Sequence, residues 1–229
     1  MNKKINSFLF FIALFILYAI YSSLIIFILQ KIGLNIDKIN THTKNIYLVL
    51  IDISLMIITY LFFRKENNRE LSKYGRNFTK YFSFGLKMWL LGLVLMIVSN
   101  LLINAIYPNA TAQNEDAVQT MLKASPIYIS FTACVFAPFM EEMMFRKSLE
   151  KVFSSKTLFI IVSGLLFGLA HNIGVSKIDF IYIIPYALFG CVFAYTYVKT
   201  NDIFVPITFH MIHNTILILL SLYNMGVLF

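Results

Sequence analysis

Charge is what this sequence has least of. Only 13% of its 229 residues are Asp, Glu, Lys or Arg, against about 25% in a soluble domain, so a water-soluble globule is excluded. Cysteine is scarce as well. Cys134 and Cys191 both lie inside apolar runs and read as packing residues, not as a disulfide. No internal repeat or low-complexity tract is present, and no apolar run shows the polar-in alternation of a barrel strand. No small-residue cleavage site follows the first apolar run, which reads as a retained span and not as a signal peptide.

What the chain does have is hydrocarbon: 59% hydrophobic residues and a mean hydropathy of +0.76. Seven apolar segments are readable, 8–29, 46–63, 84–106, 126–145, 155–171, 178–198 and 203–222. Each approaches the ~20 residues a helix needs to cross the bilayer. The expected fold is an all-α, polytopic transmembrane bundle of about seven spans, with room for an eighth, partial pass. It forms a single membrane domain over 1–229, with 1–125 as accessory spans. The formal charge of +8 is not a nucleic-acid surface, because the basic residues fall between the apolar runs. Alternate loops beginning with the N-terminus hold thirteen of them (Lys3 and Lys4; Arg64 to Lys80; Arg146 to Lys156; Lys199), and the other loops hold five. This asymmetry predicts a cytoplasmic N-terminus and an external 107–125 loop. That loop carries a glycosylation-type triplet, Asn109-Ala110-Thr111, which matters only in a secretory pathway.

Polar groups inside a membrane usually face the bundle interior. Asp52 is expected to have a structural partner there. Three further clusters fall on three separate spans. In the first, Glu142 and Arg146 are i and i+4, the favourable order for an ion pair, while Glu141 lies about 100° round the helix and faces elsewhere. In the second, "FGLAH", Phe167 and His171 share a face. In the third, "HMIHN", His210 and Asn214 share a face and His213 flanks them. Three of the four histidines fall in these clusters. Such a set admits two chemistries. Glu and His could ligate a divalent cation, or Glu141 and His171 could deprotonate water while His210 and Asn214 stabilise an oxyanion. The helix signature HExxH of zinc peptidases and the nucleophile elbow G-x-S-x-G are both absent.

In this order, Glu141-Glu142-x-x-x-Arg146, Phe167-x-x-x-His171 and His210-x-x-x-Asn214 resemble the CPBP intramembrane protease family. That family includes the type II CAAX prenyl endopeptidases and bacterial proteins linked to bacteriocin processing and self-immunity. Pro138 and Phe145 also look like its first motif, and the resemblance covers roughly 126–222. It implies an intramembrane endopeptidase of the bacterial cell membrane acting on a peptide or membrane-anchored protein. Glu141 and His171 would activate water, His210 and Asn214 would hold the oxyanion, and Glu142, Arg146, Phe167 and His213 would shape the site. The family is often labelled metalloprotease. Glu141, His171 and His210 could ligate zinc, but an Asn at i+4 suits an oxyanion donor better and favours water activation without a tightly bound metal. The Asn-, Lys- and Ile-rich composition suggests a low-GC bacterium, where leader-peptide maturation or immunity is a more natural role than prenyl-protein processing. The alternatives are a non-proteolytic immunity or scaffolding protein and a proton-coupled transporter, the latter without the paired halves such folds show.

One conflict is built into these boundaries. Glu141 falls near one end of its span and His171 at the far end of the next, ~24 Å along it. The helix holding Glu141 is therefore expected to run on through about Leu149. The one holding His171 should begin nearer 158 and continue past the histidine unless Gly174 ends it.

Overall fold

A computed structural model describes residues 3–108, 113–172 and 180–227. Among these residues there are helices and turns only. The long helices are α1 (Lys3–Lys31), α2 (Thr41–Phe62), α4 (Phe78–Ile106), α6 (Pro126–Val152), α8 (Ile183–Thr200) and α9 (Phe204–Asn224). These six are long and apolar enough to span a bilayer. The fifth apolar segment, 155–171, forms a shorter helix, α7 (Lys156–Ala170). Two stretches expected as loops are helical. The strongly basic 64–80 region contains α3 (Arg64–Arg76) and the start of α4, and the 107–125 region contains α5 (Gln113–Ala124). Both α3 and α5 have charged or polar residues over most of their length, so hydropathy could not find them. The Asn109 triplet and Gly174 lie outside the described residues.

Local chemistry sets the ends of these helices. Asn40 caps α2 by accepting from Thr43 N at 2.9 Å, and Ser155 caps α7 by accepting from Leu158 N at 3.3 Å. Pro126 opens α6, where a missing N–H costs nothing. Asn201 ends α8 in the left-handed region at φ 48°, and Asp202 then accepts from Phe204 N at the start of α9.

The alternate basic loops share one end of the bundle, as the charge pattern predicts. There Lys4 donates to Ser154, Lys151 pairs with Glu66 at 2.8 Å, and Lys73 donates to Thr200 O at 2.7 Å. Glu70 of α3 pairs with buried Lys147 and accepts from Ile203 N. These bonds tie α3 to the α6 and α8–α9 ends.

The hydrophobic core lies in the second half of the chain. Met140, Met143 and Phe145 of α6 pack with Phe159 and Phe167 of α7 and with Ala194 and Tyr197 of α8. α1 buries Phe11 and Leu14 in this core and turns Leu9, Ile16 and Phe27 outward, each about half exposed, as lipid contact requires. α7 meets α8 through small residues. A Cβ at Gly168 would lie 2.7 Å from Ile183 O, and one at Gly164 only 2.7 Å from Ala187 O. This backbone contact is the small-xxx-small packing that membranes use in place of hydrophobic collapse.

The expected conflict over Glu141 and His171 disappears. α6 runs through Val152, so Glu141 lies about 16 Å up from its end, and His171 lies about 22 Å from the start of α7. The two helices double back at residues 153–155, which brings the residues to similar depths. α7 differs from expectation at both ends, because it begins at Lys156 and stops before His171, which is its C-cap.

Candidate active site

α6 is not a regular α-helix. Residues Thr132–Phe136 and Met143–Ser148 are π-helical, a form that concentrates at functional sites. Ala137 N bonds back to Thr132 O. In that register the next donor, for Ala133 O, would be the N–H of residue 138, which is proline and has none. The Asn214 side chain of α9 fills the gap, donating Nδ2–H to Ala133 O at 2.8 Å. One amide hydrogen of Asn214 remains free of this bond. On the other side of the same segment Thr132 donates to Asp52 at 3.1 Å, with Ser22 at 3.4 Å. Asp52 therefore has the intrabundle partners expected of it.

The Glu142–Arg146 pair forms as its spacing predicts, with Nε 3.1 Å from Oε2. It is not a helix end meeting water, however, since both side chains are 0% exposed. Arg146 also donates Nη2–H to Gly190 O at 3.0 Å and lies over the Phe167 ring at 4.7 Å. One guanidinium thus joins α6, α7 and α8. Sequence spacing found the partner but not the burial, because hydropathy ends a span at its first charges.

Glu142 has a second partner. His210 Nδ1 lies 3.0 Å from its Oε1. With Nδ1–H donating to the carboxylate, Nε2 of a neutral ring is an acceptor, and only the imidazolium offers a second donor. That Nε2 faces Glu141 Oε2 at 3.8 Å, too far for a direct hydrogen bond. Glu141 Oε2 is buried and has no hydrogen-bond partner among the described residues. His171 Nδ1 lies 2.9 Å from Phe167 O, which fixes its donor on that nitrogen and leaves Nε2 as an acceptor. Phe167 stands between the two imidazoles, with ring centroids 4.5 Å from His171 and 5.7 Å from His210. His213 packs on Phe189 at 4.4 Å.

A cavity of about 280 Å³ opens beside these groups. Phe167, His171, His210, His213 and Asn214 line it, so α7 and α9 bring their motif residues to one space, while Glu141 of α6 does not line it and stands 3.8 Å from His210 Nε2. Two residues that nothing in the sequence singled out complete it. Tyr186 of α8 stacks on His171 at 4.4 Å with the planes 19° apart, and its hydroxyl donates to Glu115 of α5 at 3.4 Å.

The donor types of Glu141, His171 and His210 suit zinc. Their placement does not, because among the described residues no three His, Cys, Asp or Glu side chains are gathered so as to hold a metal ion.

Comparison with known proteins gives three findings. The family model described as Type II CAAX prenyl endopeptidase Rce1-like matches residues 123–216. The chain is 30% identical over 114 residues to the putative membrane peptidase YdiL of Bacillus subtilis (strain 168), covering 48% of this chain and 44% of that protein. It is 29% identical over 190 residues to the membrane-embedded CAAX protease MroQ of Staphylococcus aureus (strain USA300), covering 78% of this chain and 74% of that protein. No solved structure matches. With six long apolar helices and these bacterial relatives, the chain is a multi-pass integral membrane protein of a bacterial membrane.

Proposed function

We propose that this chain, whose residues 123–216 match the Rce1-like type II CAAX prenyl endopeptidase family model, is an intramembrane endopeptidase. It hydrolyses a peptide bond of a membrane-associated peptide or protein, using water activated by Glu141 and His171. The observation that carries this reading is Glu141 Oε2, a buried carboxylate oxygen without a hydrogen bond among the described residues. Such an atom costs about 1–3 kcal/mol and is rare in native folds unless function retains it. A scaffold would gain nothing by keeping it.

The geometry supports a balanced sequence of proton moves. A water between Glu141 and the free Nε2 of His171 loses a proton to Glu141 as its oxygen bonds to the scissile carbonyl carbon. His210 Nε2, 3.8 Å from Glu141, takes that proton through a small shift. The ring becomes an imidazolium, held by Glu142 at Nδ1. Only then can His210 donate to the oxyanion, beside the second amide hydrogen of Asn214. Collapse of the tetrahedral intermediate breaks the C–N bond and returns the proton to the leaving amine. Arg146 neutralises Glu142, so that His210 faces one uncompensated carboxylate and not two.

The test is cleavage of apolar peptides by the purified protein in liposomes, with new termini read by mass spectrometry. Wild type should cut and His171→Ala should not, at equal melting temperature, and chelator should leave wild-type cleavage intact. Loss with chelator that zinc restores would overturn the metal-free step. Full activity of His171→Ala would overturn the assignment of the site.

A further inference from the structure

The cavity wall is chemically mixed. The imidazoles and Asn214 share it with apolar Met96, Phe189, Leu217 and Ile218. Glu115 also lines it, on a helix that hydropathy could not reveal. Among the described residues it is the one Asp or Glu that lines the cavity, and no described Lys or Arg does. Its only hydrogen bond among the described residues is the 3.4 Å contact from the Tyr186 hydroxyl, so most of its acceptor capacity is unused. Glu115 stays exposed at the surface, but partial desolvation by its surroundings, opposed by that hydroxyl, raises its carboxyl from the ordinary value, and the charge of Asp116 adds to the push. A carboxylate in this setting gains from a cation.

The distance to the chemistry follows from the same contacts. The 3.4 Å hydrogen bond, one tyrosine ring and the 4.4 Å stack on His171 put the carboxylate no more than about 10 Å from the imidazole. That is the length of three residues of extended chain at roughly 3.3 Å each.

Resting on the endopeptidase reading, we infer that Glu115 forms an acidic subsite for a cationic side chain of the substrate, lysine or arginine. That side chain lies two or three residues from the cleaved bond on one fixed side, with apolar residues between. Glu115 is then a specificity-determining residue that touches the peptide and takes no part in bond cleavage.

The experiment uses the full protein in liposomes and fluorogenic dodecapeptides of Ala, Leu and Phe. Each carries one lysine, or norleucine in its place, moved stepwise along the chain. Wild type should cut lysine peptides two or three residues from the lysine, with kcat/KM about five-fold above the norleucine partner, the upper range for a partly exposed ion pair. Glu115→Gln should abolish that preference and free the cut position, and Glu115→Lys should reverse the preference. Equal cleavage of both peptide types by wild type, or an unchanged lysine preference in Glu115→Gln, would overturn the subsite while leaving the endopeptidase reading intact. If wild type cuts no peptide, the endopeptidase reading fails, and peptide binding decides the subsite. Tighter binding of lysine peptides that disappears in Glu115→Gln upholds it, and equal affinities overturn it.

Discussion

Arg146 offers the sharpest test of how the site is held together. Its guanidinium is fully buried, 3.1 Å from Glu142, bonded to Gly190 O and seated on Phe167. Replacing it with methionine keeps length and apolar contact but leaves Glu142 as a buried carboxylate with only His210 for company. Breaking a buried ion pair from one side costs about 3–5 kcal/mol, or a melting drop of roughly 10 °C for a chain of this size. Arg146→Lys keeps the charge but cannot fork between Glu142 and Gly190 O. The lost charged hydrogen bond sets its cost near 2 kcal/mol. The double variant Glu142→Gln, Arg146→Met removes both charges while Gln still accepts from His210, so it should be more stable than Arg146→Met alone. Thermal unfolding in lipid nanodiscs measures all three. Wild-type stability in Arg146→Met, or a double variant as poor as the sum of the singles, would refute the clamp.

Other outcomes follow from neighbouring contacts. Asn214→Leu strips Ala133 O of its side-chain donor from α9 and should cost about 1–3 kcal/mol, read by the same unfolding assay. Gly168→Val cannot fit where even a Cβ meets Ile183 O at 2.7 Å; α7 must shift by several tenths of an ångström and carry His171 with it. Cleavage should then fall by about a hundred-fold, the scale of a 1 Å misplacement. Asp202, outside the spans and fully buried, has its carboxyl raised from 3.8 to about 6, chiefly by burial and partly by Glu70. Its ionised form therefore weakens the fold above pH 6, and stability is recovered as pH falls through 6 towards 4. Asp202→Asn should flatten that pH dependence and stabilise the protein at pH 7.5 by roughly 1–3 kcal/mol, seen as a raised melting temperature.

The motif residues were legible because helical spacing survives even where the helix is irregular. Glu142 and Arg146 pair at i+4, and His210 and Asn214 point into one cavity. Hydropathy alone ends the span carrying Glu141 at residue 145, because its charges are buried inside a helix that continues to Val152, close to the extension through about Leu149 that the position of His171 calls for. The π register was hidden, although Pro138 is its visible trace. Tyr186 and Glu115 could not be foreseen. One is an aromatic among aromatics, and the other lies on a polar helix that packs over the cavity only through tertiary contacts.

The central claim is that Glu141 accepts the proton of the attacking water, and Glu141→Gln tests it with the least change in shape. Single-turnover cleavage of a fluorogenic peptide in liposomes should fall by roughly a thousand-fold, within the range of general-base contributions, with peptide affinity and melting temperature unchanged. Cleavage within three-fold of wild type would contradict the account.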